Sequence, residues 1–344
     1  LCLRSGVHRP ALALAVLGLL VAPSGPSAEE DQPKACEPSS VLEAYGLGTP
    51  WDDLARMAQD VGAAPLRPDL VRRPADRSTP LCAGGPALPL GREAPPPGPG
   101  PNLELVPGIL NVYGNTSYSR DSNDGALWQG KGMSAQLAAG AAFRWGILSA
   151  ALVPSVAWQQ NAAFRIVPNG RTGNLAFMDP WYGDQIDQPQ RFGDSPFWTA
   201  SAGQSYLRLD HGGFATGVST ENMWWGPGML NSILMSNTAA GFPHAFLGTG
   251  RPVDVGIGNL EAQAYLGRLD RSKYFLDQGH AWFYALVMDY EPRWVPGLYL
   301  GLAYVTLKTC ACLKGAADTN GLAGLYGRWV FPPVGFEVYG EWTR

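Results

Sequence analysis

Residues 281–290, AWFYALVMDY, alternate so strictly that one face carries Trp282, Tyr284, Leu286, Met288 and Tyr290 and the other Ala281, Phe283, Ala285, Val287 and Asp289. Only an extended strand, whose successive side chains point to opposite faces, separates those two sets. The same period recurs in GFEVYGEWTR (335–344), where Phe336, Val338 and Trp342 oppose Glu337, Tyr339 and Glu341. In GLAGLYGRWVF (321–331), Leu325, Trp329 and Phe331 oppose Arg328, and in NLEAQAYLG (259–267) Leu260, Ala262, Ala264 and Leu266 oppose Glu261 and Gln263. These runs exceed the about 5–6 residues usual in soluble sheets. A soluble sandwich also alternates, because it buries one face against a second sheet. The period therefore leaves a soluble β protein and a transmembrane barrel open. Tryptophans near strand ends favour the barrel, since they suit the girdles at the two membrane interfaces.

The rest of the chain narrows the choice. Arg4 and Arg9 precede the apolar run ALALAVLGLLVA (11–22), and small residues and prolines follow it as far as Glu29. That order reads as a cleaved secretory signal over residues 1–28, too short to span a bilayer. No later stretch is apolar enough for a membrane helix. The net charge of −4 becomes −6 once Arg4 and Arg9 leave with the signal. That argues against a nucleic-acid partner. Cys36, Cys82, Cys310 and Cys312 then remain, an even count that permits disulfides in an exported protein. Without a histidine cluster beside them they do not suggest zinc.

Residues 29–85 are expected to form a small helical periplasmic segment, with Leu54, Met57 and Ala58 on one face and Thr49 or Asp52 as cap, a disordered leader being the alternative. Residues 86–102, PALPLGREAPPPGPGPN, form a stiff linker, because proline fixes φ and removes donors. From residue 103 to 344 the alternation gives about ten strands of an incomplete antiparallel outer-membrane barrel, an all-β fold. The final EVYGEWTR lacks the terminally aromatic last strand typical of such barrels, which reads as a fragment with strands missing.

Several motifs in this region are compositionally unusual: NDGALWQGKG (123–132), IDQPQRFGD (186–194), GQSYLRLD (203–210), STENMWWGPG (219–228), MSNTAAGFPH (235–244) and LGTGRP (247–252). In this order they resemble the capsule assembly protein Wzi family. The resemblance implies an outer-membrane barrel of about 18 strands, with a helical periplasmic end and long loops over the outer end. It also implies a surface lectin that holds capsular polysaccharide, and a location in the bacterial outer membrane.

The residues themselves are compatible with sugar binding. Trp224 and Trp225 offer broad faces for a pyranose, and Gly226-Pro227-Gly228 makes a tight bend beside them. Asn222, Asn231 and Asn237 carry both donors and acceptors, and Glu221 and His244 supply charge-assisted bonds. The alternative is a hydrogen-bonded plug that folds this segment into the barrel lumen. Arg191, Arg208, Arg251 and Arg268 divide the same way, as a lumen ion-pair ladder or as ligand contacts.

An enzyme is not expected. Glu221 with Asp210 or Asp254 would be needed as a carboxylate pair, and no nucleophile elbow or zinc-helix motif is present. The stretch GIGNLE (256–261) lacks the third glycine of a dinucleotide loop. The expectation is a cofactor-free, monomeric protein whose partners are surface polysaccharide and outer-membrane lipid. A solute channel, or an assembly protein without glycan, is the competing reading.

Overall fold

The computed structural model describes residues 50–62, 66–68, 70–72, 100–119, 124–276, 279–309 and 319–344. The stretch expected to be a signal sequence, Cys36, Cys82, Cys310 and Cys312, and most of the proline-rich stretch lie outside these residues.

One helix, α1 (Pro50–Asp60), precedes a sheet that holds nearly every other element. The strands are β1 (Val71–Arg72), β2 (Asn102–Asn115), β3 (Gly132–Trp145), β4 (Leu148–Leu152), β5 (Ser155–Gln159), β6 (Phe197–Ser201), β7 (Tyr206–His211) and β8 (Phe214–Ser219). They continue as β9 (Trp224–Trp225), β10 (His244–Thr249), β11 (Val253–Asp254), β12 (Gly258–Asp270), β13 (His280–Pro292), β14 (Leu298–Thr309), β15 (Thr319–Phe331) and β16 (Phe336–Thr343).

All but β1 and β9 belong to one 14-stranded sheet, whose named strand pairs are all antiparallel. β4 and β5 are two halves of one traverse, because both pair with β3, and β6 and β7 are the halves of the next. Pro154 falls at the first break, and Gly203, at φ 60°, falls at the second, where a Cβ would stand 2.2 Å from the Val153 carbonyl oxygen. The chain thus runs as an up-and-down meander. Among the described residues β2 pairs only with β3 and β16 only with β15, so the sheet is not closed.

Connections at one end are tight, such as Gly146-Ile147 and Gly212-Gly213, whereas the other end carries loops 116–131, 160–196, 220–243 and 271–279. In outer-membrane barrels short turns face the periplasm and long loops the exterior. Helix α1 sits at the short-turn end: Val61 lies under Gly335, and Leu66 beside Gly297.

The alternation read from the sequence appears as two different surfaces. On β13 Trp282, Tyr284 and Leu286 are exposed while Ala281, Phe283, Ala285 and Val287 are buried. On β14 Leu300, Leu302 and Tyr304 are exposed and Tyr299, Ala303 and Val305 buried. An exposed apolar face repeated along a meander of strands up to 14 residues long is the lipid-facing wall of an outer-membrane β-barrel. No helix among the described residues is long and apolar enough to cross a membrane.

One local expectation needs correction. Met57 does not share a buried face with Ala58; it is exposed, and the described side chains that α1 buries are Arg56, Ala58 and Gln59, while Leu54 and the cap candidates Thr49 and Asp52 lie outside the described side chains. Hydrogen bonds from Arg56 to Glu337 and the Pro227 carbonyl, and from Arg328 to Gln59, hold these described side chains against the strand ends.

Candidate functional site

The segment between β8 and β10 turns back against the inner face of the sheet. Its core is β9, which pairs antiparallel with β1, Val71 opposite Trp225 and Arg72 opposite Trp224. Both tryptophans are completely buried. The Trp225 ring lies 5.4 Å from Tyr265 on β12 and 5.9 Å from Phe283 on β13, in one cluster with Leu70, Met223, Phe246, Tyr299 and Tyr326. Trp224 turns its Nε1–H to the Gly228 carbonyl at 3.0 Å, closing the bend on itself.

The Gly-Pro-Gly bend is held from three directions. The Gly226 N–H donates to the Leu70 carbonyl at 2.6 Å. Glu341 of β16 accepts from the Gly228 N–H at 2.7 Å and from the Ile233 N–H at 2.8 Å. Arg56 of α1 donates to the Pro227 carbonyl. Gly226 has φ 120°, a region closed to residues with a Cβ. A segment that starts at the outer end of β8 therefore meets the helix at the short-turn end.

Nearer the outer end, Asn222 and Gln204 form a reciprocal pair. The Asn222 N–H donates to Gln204 Oε1 at 3.0 Å, and Gln204 Nε2 to Asn222 Oδ1 at 2.7 Å. Asn222 Nδ2 also donates to the Ala239 carbonyl at 2.6 Å. Glu221 accepts from the Ser219 hydroxyl at 2.9 Å, and the Gly125 N–H donates to the Asn237 carbonyl at 2.8 Å. His244 sets Nδ1 2.8 Å from the Phe242 carbonyl, among the rings of Phe242, Phe246 and Tyr265. Asn231, in contrast, is exposed.

The four arginines do not form one ladder. Arg191 is buried in loop 160–196, where it binds the Asp194 carboxylate and the Phe164 and Gly193 carbonyls. Arg208 is buried on β7 and holds Asp210 through two nitrogens at 2.7–3.0 Å. Arg251 is exposed in the connection 250–257 at the short-turn end. Arg268 shares the outward parity of Leu266 on β12 and pairs with Asp270 at 2.9 Å on the outer surface. Strand parity and loop position, neither fixed by an arginine in the sequence, scatter them. The imagined carboxylate pair separates likewise: Glu221 follows the outer end of β8, while Asp210 and Asp254 stand at the short-turn end, Asp254 bound to Arg293 at 2.7 Å. No cluster of three metal-binding side chains occurs among the described residues.

Below this segment the helix is locked by charge. Arg56 Nη2 lies 2.6 Å from Glu337, and Arg328 Nε, on β15, 2.6 Å from the other oxygen of the same carboxylate. Arg328 also reaches Gln59, Asp60 and the Arg67 carbonyl, each at 3.2 Å. Burial and the adjacent Glu337 charge raise the Asp60 carboxyl, against the lowering pull of Arg328.

The sequence reading passed over a second pair of large aromatics, Trp181 and Tyr182, which are 71% and 55% exposed. They stand in loop 160–196, which is built rigidly. Asp179 Oδ1 accepts the N–H groups of Trp181 and Tyr182 at 2.9 and 2.6 Å. Gln190 ties the Val167 N–H and carbonyl at 2.8 and 3.0 Å, and Asn161 Nδ2 faces the carbonyls of Phe192, Gly193 and Ser195 at 3.1–3.2 Å. Beneath them, Phe177, Phe192 and Tyr274 pack edge-on or tilted, with centroids 6.1–6.5 Å apart. Burial, with the Asp194 charge, pushes the Tyr274 hydroxyl up to about 12, so it stays neutral. The signal that could have found this pair is DPWYG (179–183), an Asp-Pro turn with two aromatics at its tip.

Comparison with known proteins adds a family. The sequence profile described as capsule assembly protein Wzi matches residues 112–308, more than half of the chain. No curated protein sequence is significantly similar. Among solved structures, in-vitro folded OmpT, an outer membrane protein of Vibrio cholerae, aligns at 12% identity and TM-score 0.25, over 71% of this chain and 85% of that one. That likeness is too slight to carry an argument.

Proposed function

Because the chain belongs to the capsule assembly protein Wzi family, we propose that it acts without catalysis, engaging capsular or other surface polysaccharide at the outer membrane. The observation that carries this reading is the exposed Trp181–Tyr182 pair on a rigid outer loop. Flat aromatic faces stack on the C–H face of a pyranose while their N–H and O–H groups still donate. Exposed Gln185 and Gln188 on the same loop add side chains that both donate and accept, as sugar hydroxyls require. A loop already fixed by its own hydrogen bonds loses little entropy on binding.

Trp224 and Trp225 are a different kind of pair. Fully buried, they offer a sugar no face, and their role in this reading is to anchor a plug. A plug of buried aromatics also argues against an open solute channel as the main activity. The test is deletion of the gene in its native host, followed by restoration. Shedding of polysaccharide into the medium, reversed by the wild-type gene, supports the reading. Unchanged retention with reduced solute permeability replaces it with a channel.

A further inference from the structure

On the outward surface near the long-loop end, β7, β8, β10, β12 and β13 border an open groove of about 510 Å³. Register accounts for its shape. One row of cross-strand neighbours runs Leu207, Val218, Ala245, Leu266 and Tyr284. Ala245 is the small member between Val218 and Leu266, so the apolar surface dips there. The next row toward the exterior brings Pro243, Arg268, Trp282 and Lys308 side by side. An exposed tryptophan thus stands between two cations, about 7 Å above the furrow, given about 3.4 Å per strand residue.

Among the described residues the charges around Trp282 are Arg268, Lys308 and Asp270, with His280, whose ring lies 5.8 Å away. Lys308 Nζ lies 5.5 Å from the Tyr284 ring centre. The Arg268–Asp270 pair is 52% and 66% exposed, and such pairs hold their partners weakly, leaving Arg268 open to a second anion. The patch combines an apolar furrow, an interfacial tryptophan and surplus positive charge in the order met along a lipid molecule.

We propose that this groove docks one phosphorylated, multiply acylated glycolipid of the outer leaflet. An acyl chain lies over Ala245 between Val218 and Leu266, and a phosphate meets Arg268 and Lys308. The proposal rests on the outer-membrane placement of the family and is independent of polysaccharide binding. Charge complementarity selects this occupant over a zwitterionic phospholipid, whose headgroup has no net charge for the two cations.

The experiment reconstitutes the full chain in zwitterionic phospholipid vesicles with either bis-phosphorylated lipid A or its dephosphorylated form. Native mass spectrometry then counts the glycolipid that stays bound. One bis-phosphorylated molecule per chain is expected, with R268Q/K308Q lowering its retention about tenfold or more, the scale of charge-assisted hydrogen bonds. Filling the furrow with A245L is expected to lower retention as well. Both variants change lipid-facing side chains, and heat-modifiable gel mobility reports whether each remains folded. If A245L misfolds, R268Q/K308Q decides alone. Equal retention of the two lipid forms, or retention unchanged in folded R268Q/K308Q, overturns the proposal.

Discussion

Arg56 on the helix and Glu337 on β16 meet at 2.6 Å across 281 residues of chain, with side chains only 2% and 10% exposed. Glu337 serves Arg328 with its second oxygen, so one carboxylate balances two buried guanidinium groups. Removing its charge takes the nearest anion from both buried cations and leaves Arg328 with Asp60 at 3.2 Å. Glu337→Gln is expected to destabilise the folded protein by about 3–5 kcal/mol, the range for breaking a buried pair. Urea unfolding in lipid, followed by gel mobility, checks this.

Asp60 predicts a pH dependence of opposite sign to a simple salt bridge. Its carboxyl is raised in the folded state, so the fold holds that proton more tightly than the unfolded chain does. The resulting stabilisation is present below the unfolded pKa and is lost as pH rises through the folded one. Asp60→Asn is therefore expected to be more stable than wild type at neutral pH, with the advantage fading in acid. Stability curves of the two proteins from acid to neutral pH would show it.

Trp225→Ala removes a fully buried ring from between Tyr265 and Phe283. A loss of about 3–5 kcal/mol is expected, as for large aromatics cut to alanine in cores. The check is the folded yield in outer membranes, together with the urea midpoint.

Gly226→Ala places a Cβ at φ 120°, 2.4 Å from a Glu341 oxygen that is already engaged by Gly228. About 1–3 kcal/mol of backbone strain is expected, and the bend opens or Glu341 releases its donors. Faster proteolysis within 220–243, with the wall intact, is the signature.

Trp181→Ala with Tyr182→Ala changes only exposed side chains, so stability should move by less than about 0.5 kcal/mol. Polysaccharide retention per folded molecule is nevertheless expected to fall. Unchanged retention would remove this loop from the glycan reading.

Part of this was legible locally. The alternation in 281–290 gives a strand, and no tertiary contact is needed to see it. Which face meets lipid was not legible there, because both faces are apolar. Phe283 points inward because Trp225 and Phe242 pack on it, and both come from the segment between β8 and β10. Helix α1 shows the same limit: Met57 belongs to the apolar stripe of the sequence, yet Arg56 and Gln59 are buried, since Pro227, Glu337 and Arg328 receive them.

The two aromatic pairs mark where sequence stops. Trp224-Trp225 and Trp181-Tyr182 both lie beside glycine and proline, and nothing within either stretch says which is inside. By itself the sequence determined the long strands, through period-two alternation, and the family, through its motifs. Only the tertiary structure decided that the first pair is buried against the inner face of the sheet while the second stands in solvent. A side chain's parity is local, but its burial depends on which distant backbone covers it: the strand at residue 71, the helix at 56 and the carboxylate at 341 close over one pair, and no described segment closes over the other.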